Sequence, residues 1–218
     1  MAKPLFHAIN SAKKFGGKPE DYQAIHCKLD ESKSAYPQMS HRIVLHSLFG
    51  RDFCRKLFGE TVQNSDGQKI SVAEIVDQHV LEDLGFLPSL EDWFRELSDD
   101  NPLVKSPYFP TEKQCKISAK NFGGQPEEYL QIHQQMNGVH ANPAGKAIFH
   151  HAYGTFLIED LFGVGFTNSA GRVVSMREVA EQHILRTFRK IPTLEDWIKG
   201  IDKPWMAGIR KTKLVLVD

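Results

Sequence analysis

At 218 residues, with 41% hydrophobic and 25% charged side chains, the chain has the composition of an ordinary folded protein. Its 27 basic and 27 acidic residues cancel, which argues against a protein held on nucleic acid by phosphate neutralisation. No stretch approaches the roughly 18 apolar residues of a membrane helix, and the N-terminal MAKPLFHAINSAKKFGG lacks the apolar core of a secretory signal.

Taken in chain order, the first predicted helix ends at Gly16-Gly17, where glycine supplies a left-handed cap. Pro19 opens a second helix at its first position, with Glu20 and Asp21 set against the N-terminal dipole. That helix carries Tyr22, His26 and Leu29. A third helix is predicted over 40–57, stopping at Gly59, with Ile43, His46, Gly50, Phe53 and Leu57 along one seam. Gly50 leaves room one turn beyond the histidine. Asn64-Ser65-Asp66-Gly67 turns a short hairpin. Ser71 and Glu74 form a capping box for a fourth helix. A fifth, short helix follows Pro88 and carries Trp93.

The series then starts again. SAKKFGGKPEDYQAIH returns as SAKNFGGQPEEYLQIH, with 11 of 16 positions identical, and the block ending at Trp93 returns ending at Trp197, with 16 of 37 identical. A duplication follows. The fold class expected is mainly α: two tandem homologous helical domains, each with a short β-hairpin. Copy one covers 1–97 and copy two 112–200, joined by a polar, proline-bearing linker over 98–111. A basic, strand-like tail over 201–218 ends the chain, placed to pair with a hairpin edge.

Three histidines recur in register: His26 with His133, His46 with His150, His79 with His183. Each lies on the apolar face of a different helix. One such histidine alone reads as a core residue satisfied by a hydrogen bond. Three kept through a duplication read as a centre, with His26, His46 and His79 as the ligands of Zn²⁺ or a similar divalent ion. A buried polar network that fixes helix packing is the alternative.

Copy one surrounds these three with His7, Asp30, Lys33 and His41. Copy two has Gln114, Asn137, His140 and Gly145 instead, so a working centre is expected in copy one. Asp30 lies one turn after His26, where a carboxylate orients a ligating imidazole. Ligand-binding residues are therefore His7, His26, Asp30, Lys33, His41, His46 and His79, with His133, His150 and His183 as second-copy counterparts.

No HD dipeptide, HExxH, P-loop, GxSxG or GxGxxG occurs. Glu91-Asp92-Trp93 and its repeat read as a first-turn dipole complement beside a core tryptophan. Cys27, Cys54 and Cys115 show no CxxC pairing and read as free thiols of a reducing compartment, so a cytoplasmic protein is expected. Cys27 and Cys54 become Gln134 and Ile158 in copy two, which speaks against a nucleophile.

The series SAKKFGG, IHCKLDESK, HRIVLH, NSDG, QHVLEDLG and LEDW resembles a family of small bacterial and phage proteins that usually carry this domain once. Copy one matches it at His7, His26, Asp30, Ser32, Lys33, His41, His46, Gln78 and His79. Copy two matches at its three histidines, Gln182 and the turn. The resemblance implies the domain and no mechanism.

Three readings of function are expected to compete. One is binding of a small ligand or peptide segment, such as a nucleotide or phosphorylated metabolite, in a histidine-lined, metal-containing pocket. A phage origin makes that reading a ligand sink. Another is metal-dependent hydrolysis of a phosphorylated small molecule, with Lys33 and Arg42 supplying charge for the phosphate. A structural or interaction protein with buried histidine networks is the third reading. The lack of a repeated general base beside the histidines favours binding.

Overall fold

The computed structural model describes residues 3–36, 41–94, 101–106, 109–137 and 143–198. The strand-like tail and His140 lie outside the described residues. Two compact units divide at Trp93 and Phe94.

In the first unit α1 (Pro4–Phe15), α2 (Glu20–Asp30) and a 3₁₀ turn (Glu31–Ser34) precede two short helices, α3 (Arg42–Leu45) and α4 (Leu48–Phe58). A hairpin of β1 (Thr61–Gln63) and β2 (Lys69–Ser71) leads into α5 (Val72–Leu84) and α6 (Leu90–Phe94). The second unit repeats this order, except that its 3₁₀ turn precedes the second helix instead of following it. It has α7 (Thr111–Phe122), a 3₁₀ turn (Pro126–Tyr129), α8 (Leu130–Asn137), α9 (Pro143–Phe149) and α10 (Gly154–Phe162). Then come β3 (Gly165–Thr167), β4 (Val173–Ser175), α11 (Met176–Phe188) and α12 (Leu194–Ile198). Both hairpins are antiparallel, pairing Val62 with Ile70 and Phe166 with Val174. The fold is thus mainly α, with two tandem copies of one helical domain.

The apolar stripes of α2, α3, α4 and α5 meet in a core of Tyr22, Ile25, Leu29, Ile43, Leu45, Phe53 and Ile75, closed by Trp93. Tyr129, Ile132, Met136, Phe149, Leu157 and Trp197 do the same in the second unit.

The most strongly repeated string builds a clasp between the hairpin turn and the α1–α2 corner. Gly16 and Gly17 both take positive φ, +82° and +72°, which ends α1 and exposes the Phe15 carbonyl. Asn64 Nδ2 donates to that carbonyl at 3.1 Å, while its Oδ1 accepts from the Gln68 amide at 2.8 Å. Tyr22 donates to the Gly16 carbonyl at 2.7 Å, and the Ser65 amide donates to Asp21 at 2.8 Å. Asn168, Tyr129 and Glu128 make the same bonds in the second unit. The reading of Asn64, Ser65 and Gly67 as turn chemistry agrees with this geometry.

Three expectations are corrected. The helix over 40–57 is two helices, because the chain breaks at His46 (ψ 66°) and runs extended at Ser47. The carbonyl that this break frees, at His46, accepts from the Trp93 indole at 2.8 Å, and the Leu48 amide donates to the Pro88 carbonyl. Gly50 does not make room for a ligand. A Cβ there would lie 1.7 Å from the Leu45 carbonyl oxygen, so glycine lets α4 start against the end of α3. The capping box at Ser71 is absent, since its side chain makes no cap hydrogen bond; Ser175 alone caps, accepting from the Glu178 amide at 3.4 Å.

Part of the stretch expected as a linker packs against the second unit. Leu103 is buried, and its carbonyl and that of Ser106 accept from Lys146 at 3.1 and 2.8 Å.

Candidate metal centre

Four helical segments of the first unit aim polar side chains at one buried point. Spacing by one turn does the selecting. His7 and Ser11 share a face of α1, and His26 and Asp30 share a face of α2. Gln78 with Glu82, and His79 with Asp83, share faces of α5. His41 and Arg42 begin α3, and His46 closes it. His7, His26, Asp30, His41, Arg42, His46 and His79 are all buried.

Asp30, His46, His79 and Asp83 each bring one donor atom within 4.8 Å of all the others. His46 Nε2 lies 3.2 Å from His79 Nε2, 3.4 Å from Asp83 Oδ2 and 3.7 Å from Asp30 Oδ1. His79 Nε2 lies 3.9 Å from Asp30 Oδ1. Ligands bound at about 2.0–2.2 Å around a tetrahedral ion stand roughly 3.3 Å apart, so the spacing fits a first-row metal. His41 Nε2, 3.6 Å from Asp30 Oδ1, is a further nitrogen at the rim. These residues form a buried group able to hold a metal.

Two cations flank it. Lys33 Nζ is 2.5 Å from Asp30 Oδ2, and Arg42 Nη2 is 2.7 Å from Asp83 Oδ2. Both carboxyls sit below the ordinary carboxylate range. Burial would raise them, but for Asp30 the neighbouring His41 and Lys33 groups outweigh it. For Asp83 the nearby His46 and the Arg42 charge do so. Burial is the main cause that holds His46 and His79 below 6.5, and it pushes His26 down to about 4. Ionised carboxylates beside neutral imidazoles are the protonation states that metal binding requires.

The geometry reassigns several residues. His26, grouped with His46 and His79 as a ligand from the sequence, has both ring nitrogens engaged elsewhere. Its Nε2 meets Ser11 Oγ at 2.9 Å and its Nδ1 meets His79 Nδ1 at 2.9 Å. It stands behind His79, away from the four donors. Lys33 and Arg42 neutralise Asp30 and Asp83 and are not held out toward a phosphate. His7 packs face to face on His79, with ring centroids 3.9 Å apart, and its Nδ1 meets Glu82 Oε2 at 2.6 Å.

Asp83 was not found from the sequence. A signal was there: Glu82-Asp83 becomes Arg186-Thr187 within an otherwise repeated helix. The second unit keeps its histidines and loses the donors. His133 Nδ1 still meets His183 Nδ1 at 2.9 Å, and His150 Nδ1 meets the Lys146 carbonyl at 2.9 Å. Asn137, in place of Asp30, donates to Thr111 at 2.9 Å, and Thr187, in place of Asp83, donates to the His183 carbonyl at 3.0 Å. Among the described residues only the first unit assembles a metal-type donor group.

No helix among the described residues is long and apolar enough to cross a membrane. No curated protein and no solved structure matches the chain. One family matches it twice, over residues 2–103 and again over 110–206. The chain therefore belongs to the family described as "Domain of unknown function (DUF6915)" and carries that domain in two tandem copies.

Proposed function

We propose that the first unit binds one divalent metal, Zn²⁺ or a similar ion, through Asp30, His46, His79 and Asp83. The metal in turn holds a small ligand in the histidine-lined site, with the second unit as a metal-free copy. The observation that carries this reading is the pair of buried carboxylates. Asp30 Oδ1 faces nitrogens of His41, His46 and His79 at 3.6, 3.7 and 3.9 Å without a hydrogen bond, and Asp83 Oδ2 lies 3.4 Å from His46 Nε2, each carboxylate having one cation beside it. Two carboxylates that turn oxygens toward two imidazole nitrogens make a buried, acceptor-rich point that a cation would satisfy. A packing network of histidines needs no such pair, and the second unit, which has the network, has none.

Hydrolysis is the second reading, favoured by one contact. His7, held by Glu82 at Nδ1, turns its Nε2 toward Asp83 Oδ1 at 3.6 Å. A carboxylate-held imidazole beside a metal ligand is a group suited to general acid–base work.

Zn²⁺ titration of the full chain, freed of metal by chelation, tests the metal reading. One equivalent should bind, and Asp83→Asn should weaken binding at least tenfold, while His183→Ala should leave it unchanged. Two equivalents, or equal sensitivity to both substitutions, would refute it. Turnover in a screen of phosphate esters with Zn²⁺, Mn²⁺ or Mg²⁺, lost in His7→Ala with the metal still bound, would move the assignment from binding to hydrolysis.

A further inference from the structure

We infer that Glu82, Gln78, Ser11 and His26 form a one-way chain of hydrogen bonds that fixes the tautomer of His79, so that its Nε2 faces the metal centre without a proton. The inference rests on the metal reading above only for its purpose; the proton positions follow from the chain itself.

The direction is set at the Glu82 end. A carboxylate oxygen only accepts. Gln78 meets Glu82 Oε1 at 2.7 Å, and that contact must be made by the amide NH₂. The Gln78 carbonyl oxygen then points at Ser11, 3.0 Å away, and accepts its hydroxyl proton. A hydroxyl has one proton to give. Toward His26 Nε2, at 2.9 Å, Ser11 can therefore only accept, so Nε2 carries the hydrogen. A neutral imidazole holds one hydrogen, which leaves His26 Nδ1 bare. His79 Nδ1, 2.9 Å away, must supply the proton of that contact. His79 Nε2 is then a lone pair, and it is the atom that points at His46, Asp30 and Asp83.

Every member but Glu82 is buried, so water does not compete for the links. Glu82 is the anchor, with its side chain 28% exposed. These four are positioning residues: they act through His79 and do not touch the metal position.

The second unit provides the comparison. Ser118, His133 and His183 repeat the inner links at 2.8 and 2.9 Å, and Ser118 meets Gln182 Oε1 at 3.2 Å. Arg186 stands where Glu82 would be. Gln182 Nε2 has no hydrogen-bond partner among the described residues. No carboxylate there fixes which way the amide points; Gln182 Oε1 meets a second side-chain amide, Asn121 Nδ2, at 3.5 Å instead, so the chain has no acceptor-only anchor to set its direction. The anchor and the metal carboxylates are missing from the same copy.

The test is histidine ¹⁵N NMR of the metal-free full chain, which reads which ring nitrogen carries the proton, followed by Zn²⁺ titration of the same samples. The wild type should show His79 as the Nδ1–H form and His26 as the Nε2–H form. Ser11→Ala, and independently the partly exposed Glu82→Ala, should give a mixture of tautomers at His79 and weaken Zn²⁺ binding about 10- to 100-fold. Ser11→Thr, which keeps the hydroxyl, should restore both readouts, and Ser118→Ala should change neither. A wild-type His79 carrying its proton on Nε2, or an unchanged His79 tautomer in both variants, would overturn the inference. Because the tautomers are read without metal, a wild type that takes up no Zn²⁺ counts against the metal reading alone.

Discussion

At the scale of single residues, the histidines separate by what their nitrogens meet. Periodicity along the helices places His26, His46 and His79 on apolar faces, and that much is legible in the sequence. It cannot say which ring nitrogen faces which neighbour, and so it cannot separate His46 and His79, which face the carboxylates, from His26, which stands behind them. Asp83 escaped because an acidic residue near a helix end reads as surface; only its side-chain partner, Arg42, reveals it as buried charge. Two buried histidines of the second unit carry a different consequence. His133 and His151 are both pushed down to about 4, in each case chiefly by burial. Their unfolded forms take up a proton near 6.5, the folded forms only near 4. Their contribution to stability is therefore complete above about pH 6.5 and falls as pH drops toward 4, by roughly 1.4 kcal/mol per pH unit for each histidine. His151→Ser, which installs the residue that the first copy carries at Ser47, should make the fall of the urea midpoint between pH 6.5 and 4 shallower. An unchanged slope would show that His151 is not a neutral buried group.

At the scale of elements, the helix ends at glycine, the hairpin and its turn were readable because local chemistry dictates them. The break at His46-Ser47 was not. No glycine or proline marks it, and the partners that satisfy its backbone, Trp93 and Pro88, lie more than forty residues away. The same bonds recur at Trp197 with the His150 carbonyl and at Pro192 with the Ala152 amide, so the break belongs to the domain and not to one copy. It matters for the site, because it is the break that turns His46 toward α5. Gly50→Ala is expected to destabilise the first unit by at least the 1–3 kcal/mol typical of overpacking, since the added carbon collides with backbone. Gly85→Ala is the control: φ is +77° but the surrounding space is open, so about 1 kcal/mol of backbone strain is all it meets. Urea midpoints order the two. A larger loss at Gly85 would mean that α3 and α4 can separate freely.

At the scale of the whole molecule, the two copies share a scaffold and differ in what it carries. Clasp, break and inner histidine pair are kept in both units. The carboxylates, their cations and the Glu82 anchor occur in one. Because the clasp is made from nearly the same side chains twice, with Glu128 in place of Asp21, the chain also contains two similar solutions to one pairing problem. While it folds, the turn at Asn64 can close on the corner at Gly123 as well as on its own at Gly16, and such crossed closures must reopen before either core completes. Refolding from urea should therefore show a slow phase that Asn168→Ala, which disables one clasp, reduces in amplitude. Stopped-flow fluorescence at several protein concentrations would register it, and a concentration-independent phase marks crossing within a single chain. A phase of equal amplitude in wild type and variant would mean that each turn finds its own corner before the other is formed. Duplication in one chain thus sets a kinetic problem of self-recognition that the single domain never meets.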